Sequence, residues 1–121
     1  MQATLNELNT RWDATFNKQQ ADALAAMYDE TATLLPPGSA PQTGSKAIRE
    51  FWSNLFAQGV VDHKIAIVET GGDDNFAFQR GFWSAAAVDA QGQRQEFRGN
   101  LHLLFRKQAD GSWKTHTHIW N

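Results

Sequence analysis

At 121 residues, 41% of them hydrophobic and with a formal net charge of -2, the chain is sized for one domain burying roughly two thirds of its unfolded surface. The near-neutral balance lacks the basic stripe of a nucleic-acid binder, and no apolar run reaches membrane-spanning length, so neither partner is expected. The absence of cysteine excludes a disulfide framework, a thiolate metal site and a cysteine nucleophile. Residues 1–12, MQATLNELNTRW, lack the basic-then-apolar pattern of a secretory signal, which makes a cytoplasmic location the expectation.

In chain order, Leu5, Leu8, Trp12 and Phe16 recur at steps of three and four, the period of an amphipathic helix, and Thr4 with Glu7 has capping-box spacing. After the polar break KQQ, Asp22 can cap a short helix over ADALAAMY, and TATLL reads as a strand ending at Pro36 and Pro37. PPGSAPQTG is a loop, because its prolines and glycines cannot continue a helix. Ser45 caps a third helix with Ile48, Phe51, Trp52, Leu55 and Phe56 on its apolar face and Gly59 just beyond its end.

From Val60 the period changes to strands. VVDHKIAIVE, NFAFQRGFWSAAAVD, QEFRGNLHLLFRK and SWKTHTHIW are separated by the turn signals GGDD, AQGQ and QADG, which implies an antiparallel meander. Gly81 and Gly99 interrupt two unusually long strands, where glycine marks a bulge or bend. The expected fold is α+β: a curved, mostly antiparallel, cone-shaped sheet of about five to six strands, closed by three N-terminal helices in a single domain, 1–121.

Two stretches, ALAAMYDETATLLPPGSAPQTGSKAIREFW (23–52) and GNLHLLFRKQADGSWKTHTHIWN (99–121), resemble the nuclear-transport-factor-2-like superfamily, and more closely its SnoaL-like and ketosteroid-isomerase-like small proteins of cystatin-like fold. The resemblance implies a homodimer joined through the outer sheet face. It does not fix a function, since this scaffold hosts isomerases, cyclases, dehydratases and pure binding modules. Carried over residue by residue, the isomerase's general base falls on Pro36, its tyrosine donor on Trp12 and its protonated aspartate on Leu103. Proline and leucine transfer no proton, so the steroid-isomerase mechanism is not expected.

Chemistry must then come from other side chains. Along 94–106 the odd positions Phe97, Leu101, Leu103 and Phe105 are apolar and the even ones mostly polar, so His102 is expected outside. On the last strand the resemblance places His116, His118 and Trp120 inside. Imidazole titrates near neutral pH, which makes His116 and His118 the candidate catalytic groups. Arg80 shares a row with Phe76, Phe78 and Phe82, and either reaches the cavity to hold an anion or snorkels to the rim. Trp12, Tyr28, Trp52, Phe82, Leu103 and Trp120 complete the expected ligand-binding walls. His-x-His offers two metal ligands but no recognisable third, so neither metal nor cofactor is expected.

Two readings stand on this sequence. One is a cofactor-independent isomerase-, cyclase- or lyase-like activity on a small, partly apolar, carboxylate- or carbonyl-bearing molecule. The other is a non-catalytic ligand-binding or dimerisation module, which the similar W-x-x-H-x-H run of calmodulin-dependent kinase association domains supports.

Overall fold

The computed structural model describes all 121 residues. Helices α1 (Gln2–Asn17), α2 (Ala21–Ala25) and α3 (Ser45–Ala57) pack on a six-stranded sheet of β1 (Tyr28–Leu35), β2 (Gln42–Thr43), β3 (Val60–Gly72), β4 (Phe76–Val88), β5 (Arg94–Lys107) and β6 (Trp113–Trp120). This is the expected α+β class. The strand order is β2-β1-β6-β5-β4-β3, with β1 parallel to β6 and every other pair antiparallel. The meander β3–β6 therefore extends onto β1, which returns from the N-terminal half to lie beside the last strand.

The helical period of α1 is realised as a stripe of Leu5, Trp12 and Phe16, all buried. The cap expectations need correction. At Thr4 the helix is already under way from Met1, so the Thr4–Glu7 box does not form, and α3 starts from Gly44 at φ 91° rather than from a Ser45 side chain. TATLL is only the second half of β1, and two residues of the proline-rich loop, Gln42 and Thr43, pair with it as β2.

Neither glycine bulges its own strand in the β4–β5 ladder, which pairs Gly81 with Leu101 and Trp83 with Gly99 without a break. Gly81 instead permits close approach to β3, where a Cβ would strike the Ala66 carbonyl. The bulges fall elsewhere: around Asp62 and Val68 in β3 and at His116 in β6.

Between the first turns of α1 and the middle of β4–β5, the inner face holds Leu5, Ala77, Leu101, Leu103 and Phe105, all nearly inaccessible. Gln79 lies among them, fully buried. It accepts from Asn9 at 2.6 Å and donates to Asn6 at 2.9 Å and Thr70 at 3.1 Å. Each amide atom of Gln79 is thus partnered, which is what burial demands of a polar group. No helix is long and apolar enough to cross a membrane.

Candidate functional site

A cavity of about 410 Å³ opens between α3, the Pro36–Ser39 stretch and the inner face of β3–β6, within the range of small-molecule sites. Its apolar walls are mostly aromatic, with Phe51, Trp52, Trp83, Phe97 and Trp120 among the lining residues. Trp52 and Trp120 stack at 5.5 Å with planes 20° apart, and Phe51 meets both edge-on. Trp83 lies parallel to the His63 ring at 6.1 Å. The two titratable groups among the lining residues are His63 and His118.

His63 reaches this wall because β3 bulges. Pairing passes from Val61–Ala86 to Lys64–Ser84, so Asp62 and His63 together face the single residue Ala85. Asp62 sits at φ 56°, a left-handed conformation that costs a non-glycine residue about 1–2 kcal/mol. Two side chains four residues apart on α1 hold the bulge. Asn17 accepts the His63 backbone N–H at 2.8 Å and donates to its carbonyl at 3.0 Å. Asp13 accepts the ring Nδ1–H at 2.8 Å through one oxygen and the Ile65 N–H at 2.9 Å through the other. With one proton held on Nδ1, the other ring nitrogen, Nε2, has no protein partner and is not sealed from the cavity, so the neutral form of the ring presents its lone pair there. A carboxylate behind a ring whose far nitrogen is free is the arrangement of a general base with its orienter.

His118 is buried, and its opposite character follows from its neighbours. The Trp12 Nε1–H donates to the Tyr28 hydroxyl at 3.2 Å, and that hydroxyl lies 2.9 Å from His118 Nδ1. Tyr28 accepts from Trp12, so its own proton points at Nδ1. Burial pushes the Tyr28 pKa up, and the nearby Trp12 and Trp52 N–H groups only partly oppose this, so the phenol keeps its proton. The Trp52 Nε1 lies near that hydroxyl without bonding geometry and is the one buried side-chain nitrogen or oxygen left unpartnered. Burial, with the charge of a protonated His63 as second cause, holds the His118 pKa down at about 3. His118 is therefore neutral, accepting at Nδ1 and carrying its hydrogen on Nε2. One cavity thus contains an imidazole acceptor and an imidazole donor.

The sequence-derived site residues divide. Trp52, Trp120 and His118 line the cavity. Trp12 and Tyr28 stand behind His118 and orient it. Leu103 is core beneath α1, beside a small crevice that Trp12 and His118 also touch. Pro36 forms part of the rim.

Three expectations are corrected. His116 is the bulged residue of β6. Leu104 pairs with Thr117 and Phe105 with Thr115, so Thr115 takes the inward place and His116 turns out to Asp29, 3.0 Å from its Nδ1. That carboxylate is buried and also takes Arg106 Nε at 3.1 Å and the Thr31 N–H at 2.9 Å. Arg80 is exposed and pairs with Glu69 at 3.1 Å across the outer face. Phe82 is on that same outer face, where the row 76–82 is turned to solvent. His102 lies outside, stacked on Phe78 at 5.7 Å.

Sequence reasoning missed His63, Asp13 and Asn17. The available signal was a polar pair, Asp13 and Asn17, each adjacent to a residue of the buried Trp12–Phe16 stripe, and the Asp62–His63 interruption of an otherwise alternating strand. No three His, Cys, Asp or Glu side chains cluster as a metal site.

A family model described as a SnoaL-like domain matches residues 9–116. No curated protein matches significantly. Solved structures similar in fold include a ketosteroid isomerase-like protein from Erwinia carotovora atroseptica, with a TM-score of 0.86 at 24% identity over 98% of this chain and 92% of that one. A nuclear-transport-factor-2-like protein with a cystatin-like fold from Novosphingobium aromaticivorans gives 0.83 at 18% identity over 98% and 79%. A nuclear transport factor 2 superfamily protein from Salmonella enterica serovar Typhimurium gives 0.82 at 16% identity over 97% and 87%.

Proposed function

The chain belongs to the SnoaL-like domain family, and on that premise we propose that its cavity binds a small, partly apolar carbonyl compound and moves a proton on it without a cofactor. The observation that carries this reading is the Asp13–His63 pair, with a free imidazole nitrogen on the wall of a cavity that His118 also lines. His63 Nε2 takes a proton from the carbon next to the carbonyl, and Asp13 compensates the imidazolium that forms. The enolate oxygen accepts the Nε2–H of His118, which stays neutral throughout and so serves as a donor rather than an acid. On a β,γ-unsaturated ketone the His63 imidazolium returns the proton to Cγ and completes an isomerisation; on a β-hydroxy ketone it gives the proton to the departing hydroxyl, which leaves as water in a dehydration.

Exchange of deuterium into the α-position of β-tetralone, an uncharged bicyclic ketone, tests this by NMR. Wild-type protein is expected to exceed buffer, His63→Gln to lose about 100-fold or more, and His116→Gln to be unchanged. An unaltered rate in His63→Gln sinks the assignment. Failure of the wild type on a panel of such ketones favours a non-catalytic binding module.

We also propose that the protein is a homodimer through the outer sheet face. Val68 (56% exposed), Phe76 (45%), Phe82 (52%) and Ile119 (44%) support this as exposed apolar side chains distributed over β3, β4 and β6. Sedimentation at the mass of one chain across the working concentration range would refute it.

A further inference from the structure

We infer that the cavity selects planar, uncharged molecules and discriminates against anions; this rests on the small-molecule reading above. The first support is what is missing from the walls. No lysine, arginine, aspartate or glutamate lines the cavity. Arg80, the one cation that the sequence offered for an anion, is engaged with Glu69, and Arg106 and Arg94 are likewise paired away from the cavity, with Asp29 and with Asp62 and Glu96. A carboxylate entering here would lose its water and gain no guanidinium or ammonium in return, which is the costly form of burial.

The second support is the sign of what remains. Tyr28 fixes His118 as a neutral, single-hydrogen donor, and the carboxylate of Asp13 stands directly behind His63 and offsets any charge that ring acquires. Trp52, Trp83 and Trp120 line the cavity with π systems, which offer an anion no compensation and make good contact with a flat neutral ring. The lining is itself packed in flat pairs, Trp52 with Trp120 at 20° and His63 with Trp83 at 8°, and a flat ring extends such packing with the fewest voids. The ligand class is thus an aromatic or otherwise flattened ring system bearing a hydroxyl or carbonyl, with no ionised group. Of the two ligand types expected from the sequence, this favours the carbonyl-bearing one over the carboxylate-bearing one, which needed Arg80 to point inward.

Three matched probes test this at neutral pH: 2-naphthol, 2-naphthoate and the saturated 2-decalol. Each is titrated into the full chain while the indole N–H signals of the tryptophans are followed by NMR. Wild-type protein is expected to bind 2-naphthol about ten-fold or more tighter than either comparator, with the Trp83 and Trp120 signals shifting. Naphthoate binding as tightly as naphthol, with those same signals moving, overturns the charge selectivity while leaving the pocket intact. Decalol binding as tightly overturns the planarity. If no probe moves Trp83 or Trp120, the small-molecule reading of the cavity fails as well.

Discussion

The two polar sites on the inner face of this sheet are built on opposite terms. Beneath the first turns of α1, Gln79 is fully buried and both atoms of its amide are taken up by Asn6, Asn9 and Thr70. At the cavity, His63 and His118 each have one ring nitrogen fixed by a neighbour and the other without a protein partner. The first site spends its hydrogen bonds on seating a helix. The second spends half of them on orientation and keeps half for a ligand. The difference teaches that polarity inside this fold is not itself a functional sign; the free valence is.

That contrast can be broken from either side. The largest expected effect comes from acid. The folded His118 pKa of about 3 lies below the unfolded value of 6.5, so below pH 6.5 the unfolded chain takes up this proton before the folded one does. Its contribution to stability is complete above pH 6.5 and falls by about 1.4 kcal/mol per pH unit until pH nears 3. Denaturant midpoints measured across that window should decline accordingly. In His118→Phe the decline should be shallower by about one proton, and an identical slope would mean that the ring titrates freely. A smaller effect is expected at the other site. Gln79→Ala strands the buried Asn9 amide, while exposed Asn6 and half-buried Thr70 can turn to water, a cost of about 2 kcal/mol. Equilibrium unfolding reads this directly, and the shifts of Trp83 and Trp120 with 2-naphthol should survive it. If ligand binding weakens as much as folding, the two sites are coupled and the contrast dissolves.

How much of this was legible in the sequence depends on distance along the chain. Helix and strand periods are local, so α1, α3 and the four long strands could be read from them, as could the outward placement of His102. The bulges could not. Whether His116 and His118 share a face was an inference from a period of two, and that period fails because Asp29, 87 residues earlier, draws His116 outward with Arg106. His63 became visible as a candidate only once Asp13 was seen beside it, 50 residues away in sequence. A bulge is stabilised by what meets the groups it leaves unpaired. Here those partners, Asn17 and Asp13, lie on a helix that no strand pattern mentions.

The parallel pairing of β1 with β6 has a kinetic consequence. Every hairpin from β3 to β6 can close locally, but Tyr28 finds Thr115, and Leu34 finds His118, only after everything between them has been looped back. Closing a loop of that length costs about 4 kcal/mol of chain entropy before any contact across it repays the loss. Tyr28, which orients His118, arrives with that same closure. The meander can therefore assemble early and quickly, while the donor side of the cavity acquires its orientation only at the slow, non-local step. In a refolding time course, the signal of Trp83 in the β4–β5 hairpin should precede the recovery of ligand binding.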